Sequence, residues 1–146
     1  MLILALCGLA VGWRIHTDVA HAALAFAILL MFTFAMLWVG ALIGLSVRSE
    51  EVAASAGLIW LFPVTFLSNC FVDPARMPSW MQPIAEWNPV SSVAAAVRDL
   101  FGNPNPFANN GFPSQHPVGL SLVYLLAITA VFSSLSVRKY QRATSR

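Results

Sequence analysis

Three long runs without a charged residue constrain the fold of this chain more than any other feature. Residues 20–47, 52–72 and 118–137 contain no Asp, Glu, Lys or Arg. About 20 consecutive apolar residues in a helix cross the hydrocarbon of a bilayer. Each of the three runs is therefore predicted to be a transmembrane helix.

The composition agrees with a membrane protein. Hydrophobic residues make up 58% of the 146 residues and charged residues only 10%, whereas about a quarter of a soluble domain is charged. A chain with so little charge cannot cover a small soluble core with polar side chains. The net charge of +2 is too small to indicate a nucleic-acid partner. We expect an all-α integral membrane protein.

A fourth apolar run, residues 2–13, is too short to cross a bilayer by itself and is predicted to be the last part of a further span. A secretory signal peptide is the alternative reading of the N-terminus. Such a peptide requires basic residues before its apolar stretch, but the first basic residue of this chain is Arg14. We therefore favour the partial span.

Basic residues favour the cytoplasmic side of a membrane. The tail 138–146 contains four basic residues and no acidic one, so it is predicted to be cytoplasmic, in a multi-pass protein of the cytoplasmic membrane. Counting back, the Asn- and Pro-rich loop 102–117 is outside and the turn at residues 48–51 is inside. Ser49 is a suitable N-cap for the second full span, in which Pro63 predicts a kink.

Residues 73–101 form neither a span nor a plain loop. Met77, Trp80, Ile84 and Trp87 recur at spacings of three and four, which predicts that they share one face of a short helix. Trp favours the boundary between membrane and water. The segment is therefore predicted to hold external interfacial helices, and a purely structural role is the simplest interpretation of the periodicity.

A second short helix is predicted to begin at Asn88, which is a good N-cap, with Pro89 at its first position. Gly102 is a natural stop at its C-terminus. Its apolar stripe consists of Val90, Val93, Val97 and Leu100.

Gly40 and Gly44 form a G-x-x-x-G pair within the first full span, and such pairs let neighbouring helices approach closely. The pair predicts helix packing, either between subunits or within one subunit, and we favour the second reading.

Other candidate sites are weak. His16 and His21 are five residues apart, which does not suit two metal ligands on one helix, and Cys7 and Cys70 each lie in apolar sequence. Ser91 and Ser92 have no partner that would activate a nucleophile. The chain lacks the Gly-rich phosphate loop with its Lys. No catalytic, metal or cofactor site is predicted, and the chain is not expected to be an enzyme.

Four short stretches, taken in order, resemble the signature of a known family. They are Asn-Cys-Phe-Val-Asp-Pro at 69–74, Met-Pro-Ser-Trp-Met-Gln-Pro at 77–83, Asn-Pro-Val at 88–90 and Val-Arg-Asp-Leu-Phe-Gly at 97–102. Together they resemble ABC-2 type transporter permeases, specifically the daunorubicin-resistance-like transmembrane subunits of bacteria.

The resemblance implies an external gate that closes the outer end of a transport pathway. The matching positions are Asn69, Phe71, Pro78, Trp80, Asn88, Pro89, Arg98 and Gly102. It also implies an efflux function, the outward export of hydrophobic or amphipathic drugs, lipids or glycans. The expected partners are a separate ATPase subunit, which binds the ATP, a second permease subunit in a homo- or heterodimer, and membrane lipid.

Permeases of this kind resemble six-span subunits, and the three full runs map onto their last three spans. We therefore expect the chain to correspond to the C-terminal part of a permease, with residues 2–13 as the end of the third span. The alternative is a small structural membrane protein that binds another membrane protein and transports nothing.

Overall fold

The chain folds into helices joined by short turns in a computed structural model that describes residues 2–47, 49–106 and 108–144; these residues contain no strand. The helices are α1 (Leu2–Ala10), α2 (Val19–Gly44), α3 (Glu50–Phe66), α4 (Gln82–Glu86), α5 (Pro89–Leu100), α6 (Phe112–Gln115) and α7 (Pro117–Thr144), with a 3-10 turn at Pro74–Arg76. The all-helical class is confirmed. Two of the described helices, Val19–Gly44 and Pro117–Arg142 within α7, are long and apolar enough to cross a membrane.

The two long helices pack side by side and run in the same direction. The Ser136 hydroxyl of α7 donates to the Trp38 carbonyl of α2 at 3.3 Å, and Lys139 donates to Ser46 at 2.7 Å. The C-terminal end of α2 therefore lies beside that of α7. Since α3 follows α2 after a short turn, it runs back in the opposite direction.

Helix α3 is shorter than the predicted run 52–72, because it ends at Phe66. Ser49 caps its first turn by accepting from the Val52 amide at 3.3 Å, as predicted. At the other end, the Ser68 hydroxyl donates to the Thr65 carbonyl and accepts from the Cys70 amide. Side chains that bond to nearby backbone groups compete with helix formation, so the chain leaves the helix before Val72.

The single helical face predicted for Met77, Trp80, Ile84 and Trp87 is wrong. Met77 follows the 3-10 turn and is buried, and Trp80 lies in a turn. A continuous helix would need an amide hydrogen at Pro83, which has none. Instead, α4 begins at Gln82 and has Pro83 in its first turn.

Two further boundaries differ from the sequence prediction. The predicted loop 102–117 contains α6, which begins after the N-cap Gly111 and has Pro113 in its first turn. The tail predicted at 138–146 continues α7 through Thr144. Its Arg, Lys, Gln and Ala residues are good helix formers, so nothing ends the helix at Val137.

Helix α5 packs against both long helices instead of lying flat on their ends. Val93, Ala96 and Leu100 of α5 share a buried core with Ala25 and Ile28 of α2 and with Leu125 of α7. At 1.5 Å per residue, Ala25 and Leu125 lie about 9–12 Å inside their helices. Helix α5 therefore packs against the sides of both long helices. It is part of the segment between α3 and α7, hereafter the connecting segment (residues 67–116).

The small residues of this core predict a sharp response to enlargement. Ala96 is fully buried between helices, so Ala96→Leu should cost about 1–3 kcal/mol by overpacking. We expect a lower melting temperature of the purified protein in detergent. Ala23→Leu on the exposed part of α2 is the control and should leave the melting temperature nearly unchanged. Equal effects of the two substitutions would contradict the α2–α5 packing.

Candidate functional site

Asn88 joins the start of α5 to the end of α3. Its side-chain carbonyl accepts from the Val90 amide at 2.8 Å and so caps α5. Its side-chain amide donates to the Val64 carbonyl at 2.7 Å. Val64 is in the last turn of α3, where backbone carbonyls lack helical partners. One buried side chain thus satisfies the backbone of two helices.

A second hydrogen bond lies beside the first. The backbone amide of Asn69 donates to the Ser91 hydroxyl at 2.9 Å, and both residues are buried. The chain leaving α3 is therefore held to the first turn of α5 at two points. A displacement of the end of α3 must move α5 with it or break both bonds.

The other end of α5 is tied to the turn before α2. The Thr17 hydroxyl donates to the Leu100 carbonyl at 2.6 Å, and the His16 amide donates to the Phe101 carbonyl at 3.0 Å. These are carbonyls of the helix end, which need partners from outside the helix. Helix α5 therefore spans from the end of α3 to the start of α2.

Aromatic packing reinforces the second attachment. Phe101 is buried, and its ring makes edge-to-face contacts with Trp13 at 5.0 Å and with Phe26 at 5.5 Å between ring centroids. Such pairs contribute about 0.5–1.5 kcal/mol beyond the burial of their surface.

Gly102 ends α5 as the sequence predicted. Its φ of +67° is in the left-handed region. The Asn103 backbone amide donates to the Arg98 carbonyl, and the Gly102 backbone amide donates to the Asp99 carbonyl, both at 2.9 Å. This pair of bonds is a Schellman motif. A Cβ at Gly102 would lie 3.0 Å from the Thr17 methyl carbon and 3.1 Å from the Cβ of His16.

The rest of the connecting segment is held by hydrogen bonds and ring stacking at the surface. Tyr124 of α7 donates to the Trp87 carbonyl at 2.9 Å, and the Asn109 side chain donates to Glu86. The Trp87 ring stacks on Phe112, and Phe112 stacks on His116 at 4.8 Å between ring centroids.

The eight predicted signature residues separate into three groups. Asn69, Asn88 and Pro89 meet at the end of α3, and Arg98 and Gly102 lie at the opposite end of α5. The other three lie on the surface. Trp80 is 69% exposed, and Phe71, which stacks on Phe66, is 66% exposed. Pro78 is also exposed, and its carbonyl accepts from the Met81 backbone amide in the turn before α4. The role of these residues in a gate stays a prediction.

Two structural contacts, those of Ser91 and Thr17, were not predicted from the sequence. Ser91 and Ser92 follow an N-cap and lie among apolar residues, and this placement is typical of hydroxyls that are buried and hydrogen-bonded. Thr17 carried no local signal, because its partner Leu100 is 83 residues away in the sequence.

The remaining predicted positions have simpler surroundings. A Cβ at Gly40 or Gly44 would meet no atom within 4 Å in the described part of the chain. No helix of the described residues therefore packs closely against the two glycines, and their role in helix packing stays a prediction. His21 hydrogen-bonds the exposed Asp18 carboxylate, and this bond holds the pKa of Asp18 below its ordinary value. Cys7 and Cys70 are free.

Comparison with known proteins decides the family. Residues 1–101 match the model of the ABC-2 type transporter family. The chain belongs to this family. It is also 34% identical over 134 residues to the daunorubicin resistance ABC transporter permease protein DrrB1 of Streptomyces coeruleorubidus; the alignment covers 92% of this chain and 44% of that protein. No solved structure matches the chain.

The family match confirms the resemblance drawn from the sequence, and the four stretches that carry this resemblance all lie in the connecting segment. Permeases of the ABC-2 family are transport components, and the apolar helices fit a location in a membrane. This ABC-2 chain spans less than half the length of the curated relative that it matches.

The two hydrogen bonds of Asn88 can be separated by substitution. Asn88→Ser keeps an oxygen that can cap α5 but removes the amide group that donates to Val64, and the serine hydroxyl is too short to replace it while it caps α5. The buried carbonyl then left unsatisfied costs about 1–3 kcal/mol. Asn88→Ala also removes the cap, at about 0.5–2 kcal/mol more. We expect melting temperatures in the order wild type, Asn88→Ser, Asn88→Ala. A serine variant as stable as the wild type would show that the bond to Val64 contributes nothing.

Gly102 gives a second test, because its φ of +67° lies in the left-handed region that alanine enters at a cost of about 1–2 kcal/mol. Gly102→Ala adds crowding of the new Cβ against Thr17 and His16, so it should lower the stability by more than this backbone strain alone. Melting temperatures of the purified protein in detergent check this. A Gly102→Ala variant as stable as the wild type would mean that α5 does not pack closely against this turn.

Proposed function

We propose that this chain forms part of the transmembrane permease of an ABC exporter, which moves hydrophobic or amphipathic substrates (drug, lipid or glycan) outward. The match of residues 1–101 to the ABC-2 transporter family carries the proposal. The name of the curated relative, a daunorubicin resistance permease, supports an apolar drug-like cargo. No charged residue lies within the three predicted spans, which disfavours a pathway for ions or protons.

The energy for export would come from a separate ATPase subunit, to which ATP binds, and the permease would pair with a second permease subunit. The predicted orientation places the C-terminal ends of α2 and α7 in the cytoplasm of a bacterial cell and the connecting segment outside. The basic residues Arg138, Lys139 and Arg142 at that end of α7 support this orientation, because short cytoplasmic segments are enriched in Lys and Arg.

In this proposal the connecting segment acts as an external gate. Helix α5 is bonded to the end of α3 by Asn88 and to the start of α2 by Thr17. A change in the separation of α2 and α3 would therefore displace α5, and with it α4 and the exposed Trp80. This linkage supplies a route by which movements of the spans could open or close the outer end of a pathway.

Trp80 gives the sharpest test of the gate, because its side chain is mostly exposed and its loss should not unfold the protein. We expect Trp80→Ala in the full-length permease to reduce export severalfold while membrane insertion stays unchanged. Trp80→Phe keeps an aromatic ring at the membrane boundary and is the matched control. Export is measured as efflux of a fluorescent apolar drug from cells that also express the ATPase.

Two results would count against the proposal. Undiminished efflux by Trp80→Ala would leave the connecting segment a purely structural element. Failure of the wild-type permease to co-purify with the ATPase would favour the alternative function, a structural membrane protein that binds other membrane proteins through its helix faces.

A further inference from the structure

A groove separates the C-terminal ends of α2 and α7, at the opposite end of the molecule from the connecting segment. Its volume is about 670 Å³, within the range of sites that bind small molecules. Helix α2 and the residues after it contribute Leu42, Leu45 and Ser46. Helix α7 contributes Leu135, Arg138, Lys139 and Arg142.

The lining of this groove divides into an apolar part and a cationic part. Leu42, Leu45 and Leu135 form the apolar part. Arg138 and Arg142 are four residues apart and so lie on the same face of α7. Among the described lining residues every charged side chain is basic, so the groove has a net positive charge.

Lys139 fixes the position of one of these charges. Its ammonium group donates to the Ser46 hydroxyl at 2.7 Å, which holds the end of α7 beside the end of α2. Three cations and a hydroxyl thus meet immediately beyond the apolar part of two membrane-long helices. That is the depth at which phospholipid headgroups lie.

We propose that this groove binds a phospholipid with an anionic headgroup. The lipid phosphate lies against Arg138, Lys139 and Arg142, and the first methylene groups of an acyl chain lie on the three leucines. A soluble anion would leave the leucines uncovered. A zwitterionic lipid carries its own ammonium group, which offsets the attraction of its phosphate to the three cations. The inference requires that α2 and α7 lie in a membrane, but it does not depend on export.

Native mass spectrometry of the full-length protein in detergent tests the proposal. Phosphatidylglycerol and phosphatidylcholine with identical acyl chains are added in equal steps, and the bound lipids are counted per protomer. We expect tighter retention of phosphatidylglycerol by the wild type. Arg142→Gln should weaken this retention about fivefold, the effect of removing one basic residue at a membrane surface, and Arg138→Gln/Arg142→Gln should weaken it further.

Two matched variants separate a specific site from general charge. Arg142→Lys keeps the charge and should retain most of the preference. Arg76→Gln removes one charge at the opposite end of the molecule, from an exposed side chain, and should bind phosphatidylglycerol as the wild type does.

Three outcomes would overturn the proposal. The first is an equal preference for phosphatidylglycerol in the wild type and in Arg138→Gln/Arg142→Gln, as expected if protein covers the groove. The second is an equal loss in Arg76→Gln and Arg142→Gln. The third is displacement of the lipid by millimolar inorganic phosphate, which would identify a site for a soluble anion. None of these results depends on transport, so they are independent of the export measurement.

Discussion

The arrangement of the connecting segment depends on a single buried amide side chain. Asn88 caps α5 with its oxygen and bonds the Val64 carbonyl of α3 with its nitrogen. Asp and Ser can cap a helix as well as Asn does, but neither the aspartate carboxylate, which only accepts, nor the shorter serine can make both bonds with this geometry. The requirement for a donor and an acceptor on one short side chain explains why Asn suits this position.

The hydrogen bonds at the two ends of α5 have complementary roles. At the start of α5, the Asn88 side chain satisfies the Val64 carbonyl of α3. At the end of α5, the turn before α2 satisfies the carbonyls of Leu100 and Phe101. Buried polar backbone groups must find partners within the protein, and this need is greatest at membrane depth. The same bonds that satisfy the backbone therefore fix the distance between the end of α3 and the start of α2.

Sequence reasoning predicted the parts of this structure that depend on local chemistry. The charge-free runs predicted helices α2, α3 and α7, and the caps Ser49, Asn88 and Gly102 depend on bonds between residues no more than five positions apart. The end of α3 at Phe66 and the separation of Met77 and Trp80 from α4 also have local causes, the bonds of Ser68 and the prolines, but a run of apolar residues does not reveal them. The bond between Thr17 and Leu100 has no local cause, because it joins distant parts of the chain. The packing of α5 against both α2 and α7 depends on small buried residues such as Ala25 and Ala96, which periodicity alone does not reveal.

The early end of α3 has a consequence for the lipid around the protein. Seventeen helical residues extend about 25 Å at 1.5 Å per residue, whereas the hydrocarbon of a typical bilayer is about 30 Å thick. Helix α3 alone is therefore too short to cross a bilayer of ordinary thickness, and it would span one only where the bilayer thins beside it or where other protein shields it. A thinned bilayer would bring the polar residues Ser68 and Asn69 closer to water than their position in the sequence suggests.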